Sequence, residues 1–277
     1  MKFQDKKNSY QGPVQAVILD WAGTVIDYGC LGPVSVFVKI FEQNKVPVTM
    51  AEARAAMGLK KKDHIRAMCA MESVATKWRA AHGRLPTEDD VEAMYLVTEP
   101  MMVKAVTDHC DIIPGALEAI ATLRTNGIKI GSTTGYPGVV MQPLRALAAE
   151  RGYRPDSVVC PDDVPAGRPH PYMCFLTAIN LKVYPLEACV KIGDTVADIK
   201  EGLNAGLWTI GLTKTGNELG LRESEALALH PDELQVRLSA IEEKFHEAGA
   251  HYVAESLGDC PRLIEDIQAR LRNGQRP

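Results

Sequence analysis

Carboxylates close two of the apolar segments of this 277-residue sequence. The segment VQAVILD ends at Asp20, and CVKIGD ends at Asp194, with Asp198 four residues further on. At that spacing Asp194 and Asp198 would share one face of a first helical turn, where like charges repel unless a cation or a basic partner separates them. With Asp20 nearby, oxygen-ligated Mg2+ is the natural cation. The alternatives are a turn or capping role for Asp20, and an N-cap plus a surface aspartate for the other two.

Two further segments carry groups that could bind phosphate. Thr134 and Gly135 follow GIKIGST, and a hydroxyl with exposed N–H groups at that point can hold phosphate oxygens. Arg168 lies in the Pro- and Gly-rich loop DDVPAGRP, where a cation could neutralise a phosphoryl group during its transfer. An ordinary turn and a solvent-exposed loop arginine are the alternatives. With Asp20 as a nucleophilic carboxylate, the set is typical of phosphoryl transfer.

Three consecutive lysines, Lys60, Lys61 and Lys62, follow Gly58 at the start of a predicted helix. A solvated run of charge is the common interpretation of such a pattern. Three cations at a helix N-terminus nevertheless oppose the helix dipole, and the same arrangement lowers the pKa of an ammonium group. A lysine with a lowered pKa can form an imine with a carbonyl compound. The pattern alone does not choose among the three.

Repeated strand–turn–helix patterns must position these side chains. They predict an α/β fold with a doubly wound parallel sheet, whose ligands bind beyond the carboxyl ends of the strands. Asp20, Thr134 and Asp194 all fall at such ends. The five predicted strands are VQAVILD (14–20), GIKIGSTT (127–134), DSVVC (156–160), CVKIGD (189–194) and LWTIGL (207–212).

Between the first two predicted strands lies a long segment without a strand pattern. Its apolar spacing and its Pro and Gly breaks predict helices over about 32–46, 51–57, 61–82 and 88–109. An insertion of this size predicts a helical cap domain over residues 28–109, on a catalytic core formed by residues 1–27 and 110–277. Further helices are predicted after residue 211, separated by a short segment, AHYVAE.

The composition of the chain indicates which classes of partner and which compartment to expect. The net charge is -4, with 31 basic and 35 acidic residues evenly mixed, which favours neither nucleic acid nor a membrane surface as a partner. The seven cysteines form no CxxC pair, which favours scattered thiols in a reducing compartment. The N-terminus lacks the apolar core of a signal peptide, and no apolar run approaches the length of a membrane span. These features predict a cytoplasmic protein that acts on a small molecule.

Taken in chain order, the segments that carry Asp20, Thr134, Arg168 and Asp194 resemble the haloacid dehalogenase superfamily. The core of that superfamily is Rossmann-like and carries an inserted cap. Most phosphatases of that superfamily read Asp-x-Asp at the first strand, and Ala22 departs from that pattern. Longer matches resemble its phosphonatase family, which cleaves the carbon–phosphorus bond of phosphonoacetaldehyde. They are DWAGTVIDYGC (20–30), MGLKKKDH (57–64), IGSTTGY (130–136), DDVPAGRP (162–169) and GDTVADIKEGLNAG (193–206).

The resemblance implies a role for each site residue. It selects Lys61 as the imine-forming amine and Asp20 as the nucleophile. It adds the Ala22 backbone carbonyl to Asp20 and Asp194 as ligands of Mg2+, while Asp198 would orient the metal ligands or Arg168. Four further residues would line the substrate pocket: Cys30, Met57, His64 and Tyr136. His64, three positions after Lys61, could assist proton transfer, and a packed or surface histidine is the alternative.

The implied reaction explains the alanine, because a carbon leaving group needs an electron sink on the aldehyde rather than an acid at position 22. The resemblance also implies a homodimer formed through the cap, for which the apolar segment VSVFVKIF (34–41) is either the interface or part of the cap core. The alternatives are a phosphate-monoester hydrolase or phosphomutase of the same superfamily, a hydrolytic dehalogenase, which needs no metal, and an inactive binding protein.

Overall fold

A single six-stranded parallel sheet organises the chain, as the computed structural model, which describes residues 10–277, reveals. The strand order is β3-β2-β1-β4-β5-β6, and every pair of neighbours is parallel. The predicted doubly wound α/β fold is therefore confirmed. The strands are β1 (Ala16–Leu19), β2 (Lys129–Thr133), β3 (Ser157–Val159), β4 (Cys189–Gly193), β5 (Trp208–Leu212) and β6 (Tyr252–Ala254).

Strand β1 lies at the centre of the sheet and is fully buried. Its side chains alternate between two hydrophobic cores, with Val17 and Leu19 in one and Ala16 and Ile18 in the other. A strand with apolar residues on both faces needs helices on both faces. The helices after the insertion provide them: α6 (Ala116–Thr125), α7 (Gly138–Glu150), α8 (Tyr172–Leu181), α9 (Val196–Asn204), α10 (Glu223–Ala228), α11 (Pro231–Glu247) and α12 (Cys260–Arg272).

Five helices form the insertion between β1 and α6, and the longest, α5, packs on α1 and α3. The chain leaves and re-enters the core side by side, because Ile26 forms an antiparallel bridge with Ile112 and Asp27 N donates to Asp111 O at 3.1 Å. The division into cap and core near residues 27 and 110 stays a prediction. The helices are α1 (Leu31–Gln43), α2 (Met50–Arg54), α3 (Lys61–Ala70), α4 (Glu72–His82) and α5 (Glu88–Asp108).

Two predicted elements differ from the structure. The helix predicted over 61–82 is two helices, because Met71 between them has extended backbone angles although no Pro or Gly marks the break. The segment AHYVAE contains β6, so the sheet has six strands where the sequence predicted five. All three residues of β6 are only half-buried, and a short edge strand of that kind carries no continuous apolar run.

The segment VSVFVKIF lies in α1, and most of its apolar side chains are buried within the same chain. Val34, Phe37, Ile40 and Phe41 are each fully covered. These four residues therefore belong to the core of the insertion, which is one of the two interpretations the sequence left open, and a dimer interface through this helix stays a prediction. Among residues 10–277, no helix is both long enough and apolar enough to cross a bilayer.

The burial of β1 gives a stability prediction. Replacing Ile18 with alanine should lower the free energy of unfolding by about 2–5 kcal/mol, because the cavity lies in the middle of the sheet. Ile179 on α8 is 70% exposed, so its replacement with alanine should change the free energy of unfolding by less than about 0.5 kcal/mol. Urea unfolding of the two variants measures the difference. Equal losses of stability in the two variants would mean that Ile18 does not lie in the hydrophobic core.

Candidate active site

Asp20 and Arg168 face each other at the carboxyl end of β1, and both are buried. The Arg168 guanidinium donates to Asp20 Oδ1 at 2.7 Å and to the Thr133 carbonyl at 3.0 Å. Burial raises the pKa of Asp20, and the neighbouring Arg168 charge opposes that rise. A carboxylate at the end of one strand and a cation from a distant loop therefore form a buried ion pair.

A buried ion network holds Arg168 in place. Arg168 Nε donates to Glu201 Oε2 at 2.9 Å, and Asp198 Oδ1 lies 3.0 Å from another guanidinium nitrogen. The same Asp198 oxygen lies 2.7 Å from Lys191 Nζ, and its other oxygen accepts from Thr195 Oγ1 at 2.6 Å. Asp198 thus contacts Arg168, while its expected role of orienting that arginine or the metal ligands stays a prediction.

Glu201 and Lys191 were not identified from the sequence, although one signal was available. Lys191 stands inside an otherwise apolar strand, and a lysine there is fully buried only when it has charged partners. Its partners in the structure are Asp198 and, at 3.6 Å, Glu201.

Three aspartates can hold a metal ion. Ligand atoms of Asp20, Asp194 and Asp198 all lie within 4.8 Å of one another. Asp194 Oδ2 accepts from Cys30 Sγ at 3.2 Å and from Asn217 N at 2.7 Å, whereas Oδ1 is buried without a hydrogen-bond partner among residues 10–277. A buried unpaired carboxylate oxygen is costly, and a bound cation would satisfy it. Burial first, and then the neighbouring carboxylates, raise the pKa of Asp194, which fits a site built for a positive charge.

The structure separates the three lysines. Lys61 begins α3 and is only 4% exposed, with Nζ 4.6 Å from the centre of the Tyr136 ring and 5.7 Å from that of Phe37. Burial lowers the pKa of Lys61 to about 8. Lys60 instead pairs with Asp162, and Lys62 pairs with Glu92, both at partly exposed positions. Of the three lysines, therefore, only Lys61 is buried at the site.

His64 does not line the pocket, which corrects the expectation for that residue. Its ring stacks on Phe37, with centroids 3.8 Å apart, and its Nε2 lies 2.8 Å from the Ala53 carbonyl oxygen. Burial lowers the pKa of His64 to about 3, so the ring is neutral near pH 7. His64 lies on the same helical face as Lys61, as the i+3 spacing predicts, but the His64 ring packs inside the insertion against Phe37.

One cavity joins these groups, with about 310 Å³ of empty space that is partly open to solvent. Apart from His64 and the supporting Asp198, every candidate residue lines it. The lining comprises Asp20, Ala22, Cys30, Pro33, Met57, Gly58, Lys61, Thr134, Gly135, Tyr136, Arg168, Asp194 and Thr195.

The walls of this cavity meet at two glycines. A Cβ on Gly135 would lie 2.7 Å from the Leu59 carbonyl oxygen, and one on Gly58 would lie 2.5 Å from Thr195 Oγ1. Gly58 also has φ +89, a left-handed conformation that other residues adopt only with strain. The loop before α3 therefore packs against the loop after β2 and against the Thr195 side chain after β4 without room for a side chain at either glycine.

The chain is similar to known proteins over most of its length. The family model for haloacid dehalogenase-like hydrolases matches residues 14–206. The chain is 54% identical over 272 residues to a phosphonoacetaldehyde hydrolase of Syntrophobacter fumaroxidans, covering 98% of each chain. It is 56% identical over 277 residues to a phosphonoacetaldehyde hydrolase-like protein of the same organism, covering 100% of each chain.

The chain belongs to the haloacid dehalogenase-like hydrolases.

Two solved structures show different degrees of similarity. A phosphonoacetaldehyde hydrolase-like protein from Oleispira antarctica superimposes with a TM-score of 0.95 at 41% identity, covering 97% of this chain and 98% of that one. A β-phosphoglucomutase from Clostridium difficile, at 15% identity and a TM-score of 0.65, shares the fold alone.

Proposed function

We propose that this hydrolase cleaves the carbon–phosphorus bond of phosphonoacetaldehyde to give acetaldehyde and phosphate. One observation carries the proposal: a buried lysine amine and a buried aspartate line the same cavity, and the residue two positions after that aspartate is an alanine. Several relatives at 46–54% identity are named phosphonoacetaldehyde hydrolase, which supports the same substrate.

For the metal we propose Mg2+, held by carboxylate oxygens of Asp20 and Asp194 and by the backbone carbonyl of Ala22. Oxygen ligands suit a hard cation, and the unpaired Oδ1 of Asp194 gives it a place to bind. When bound, Mg2+ supplies positive charge that stabilises the phosphoryl oxygens. Under the same proposal, Thr134 and Gly135 contact the phosphate group, and the side chains of Cys30, Met57 and Tyr136 line the substrate pocket.

The first half of the reaction belongs to Lys61. Its free amine adds to the aldehyde carbon, and loss of one water leaves a protonated imine. Asp20 then attacks phosphorus, the carbon–phosphorus bond breaks, and its electron pair moves into the imine to form an enamine. Arg168, 2.7 Å from Asp20, is placed to neutralise charge on the transferring phosphoryl group.

The second half restores both residues. Protonation of the enamine at carbon and addition of water release acetaldehyde and free Lys61. A further water hydrolyses the aspartyl phosphate on Asp20. Because imine formation releases one water, the net consumption is one water. No step requires an acid at position 22, since the leaving group is a carbon whose electrons the imine accepts.

A phosphate-monoester hydrolase or phosphomutase is the second candidate, favoured by the shared fold. Phosphate release from phosphonoacetaldehyde and from a phosphate monoester, each with and without EDTA, discriminates between them. We expect release from the phosphonate only, and its loss in EDTA with recovery on adding Mg2+. Faster release from the monoester would overturn the proposal, and full activity in EDTA would exclude the metal.

The lowered pKa of Lys61 predicts how its reactivity depends on pH. With a pKa of about 8, about one Lys61 amine in ten is unprotonated at pH 7, against roughly four in ten thousand for an ordinary lysine. Acetylation of Lys61 by acetic anhydride, followed by peptide mapping, should therefore rise with pH and be half-maximal near 8. In urea-unfolded protein the profile should move up toward about 10.4. A profile centred above 10 in the folded protein would contradict this.

Three features of organisation complete the proposal. We assign residues 28–109 to a cap domain and residues 1–27 and 110–277 to the catalytic core. A homodimer formed through the cap follows from the family resemblance. A cytoplasmic location is supported by the seven cysteines, all of which are buried and free, as expected in a reducing compartment.

A further inference from the structure

A short loop after β5, residues 215–217, contacts Asp194 and the turn that follows Asp20. Asn217 N donates to Asp194 Oδ2 at 2.7 Å, and Thr215 Oγ1 donates to the carbonyl of Gly23 at 2.7 Å. A Cβ on Gly216 would lie 2.2 Å from the Asp194 side chain, so the loop packs directly against that carboxylate. Both Thr215 and Asn217 are 3% exposed. The position of this loop therefore limits the position of Asp194.

Arg54, at the end of α2, reaches the same loop from the insertion. Its guanidinium donates to Asn217 Oδ1 at 3.2 Å and to the Gly220 carbonyl at 3.0 Å, while Asn217 Nδ2 donates back to the Arg54 carbonyl at 3.3 Å. It also donates to the Gly29 carbonyl at 2.8 Å, where the chain enters the insertion. Within residues 10–277 Arg54 has no salt bridge to a carboxylate, so directional hydrogen bonds to neutral acceptors hold it.

We infer that Arg54 and Asn217 act as positioning residues that couple the placement of the insertion to the orientation of Asp194. Arg54 moves with α2, and Asn217 belongs to the loop that packs on Asp194. The reciprocal pair can form only when the insertion lies against the core. Any displacement of α2 that breaks it loosens the one backbone N–H that orders Asp194 Oδ2. The inference rests on the proposed function only in taking Asp194 as a metal-binding carboxylate.

The expected effect is moderate because neither residue touches substrate or metal. Hydrogen-bond partners behind a metal ligand are commonly worth about 10–100-fold in metal affinity or activity. We expect Arg54→Gln and Asn217→Ala each to weaken Mg2+ binding about tenfold, measured by calorimetry without substrate. The value of kcat/KM for phosphonoacetaldehyde should fall by a similar factor. If the two act as a pair, the double variant should be no more than about twofold worse than Arg54→Gln alone.

A matched control is available in another contact across the same boundary. Asp162→Asn removes the Lys60–Asp162 ion pair, which is partly exposed and makes no contact with Arg54 or Asn217, and retains an acceptor for Gly138 N. Its Mg2+ affinity should stay within about twofold of the original, because exposed ion pairs contribute little. Arg54→Lys replaces Arg54→Gln if the latter does not fold, since it keeps the charge and cannot reach every acceptor at once.

The outcomes separate the inference from the proposed function. Unchanged Mg2+ affinity in both single variants, effects that multiply in the double variant, or equal weakening in Asp162→Asn would each overturn the coupling. An unsubstituted enzyme that binds Mg2+ but does not hydrolyse phosphonoacetaldehyde would overturn the function. The calorimetric cycle would still report on the Arg54–Asn217 pair in that case.

Discussion

Replacing Lys61 with arginine should reduce turnover of phosphonoacetaldehyde by about 10⁴-fold or more, as removal of a covalent catalytic group commonly does. A guanidinium keeps its proton at neutral pH and cannot form the imine, although it keeps the charge. Lys60→Arg and Lys62→Arg are matched controls, because those lysines pair with Asp162 and Glu92. We expect both to remain within a few-fold of the original rate. Equal behaviour of all three variants would mean that only charge matters.

Chemical capture tests the same residue without relying on turnover. Borohydride added with the aldehyde should reduce the imine to a stable secondary amine, and the protein should gain the mass of the two-carbon fragment. Peptide mapping should place that mass on Lys61, and activity should be lost in proportion to labelling. A label on Lys60 or Lys62 would identify a different amine. No label, combined with a fully active Lys61→Arg variant, would refute the imine mechanism.

Asp20→Asn should be nearly as damaging, with a loss of about 10³-fold or more, because an amide is a far weaker nucleophile toward phosphorus than a carboxylate. The variant keeps Lys61, so borohydride should still capture the aldehyde on that residue. This combination, capture without phosphate release, separates attack at phosphorus from imine formation.

Asp27→Asn controls for the effect of neutralising any buried carboxylate. Asp27 is buried and accepts hydrogen bonds from Leu31 N and Gly32 N at the start of α1, and it does not line the cavity. We expect it to stay within about tenfold of the original turnover. An Asp20→Asn enzyme as active as Asp27→Asn would refute the nucleophilic role.

Much of the site could be predicted from sequence because parallel strands align their carboxyl ends. Asp20 and Asp194 each follow a recognisable apolar run, and β1 and β4 are neighbours in the sheet, so the two carboxylates meet. Short-range pattern also gave the class of fold. The choice of Lys61 among the three consecutive lysines needed a family resemblance. Which of the three is buried depends on which face of the helix meets the core, and the local sequence does not specify that face.

The contacts that were missed join residues far apart in the chain. Glu201 faces Arg168, and Arg54 faces Asn217, and no local periodicity encodes either pairing. His64 shows the opposite error, because helical spacing predicts a shared face but not the direction of a ring. Its stacking on Phe37 follows from packing inside the insertion, which the sequence pattern does not specify.

The two facing glycines also bear on how this scaffold can diversify. At Gly135 a single added methyl would meet backbone oxygen, and backbone cannot swing aside as a side chain can. Any lineage that acquires a side chain there must hold the insertion further from the sheet, which enlarges the chamber and admits water. More room for a bulky substrate and better exclusion of water are therefore opposing requirements on residue 135. The close approach at Gly135 therefore favours small substrates over bulky ones.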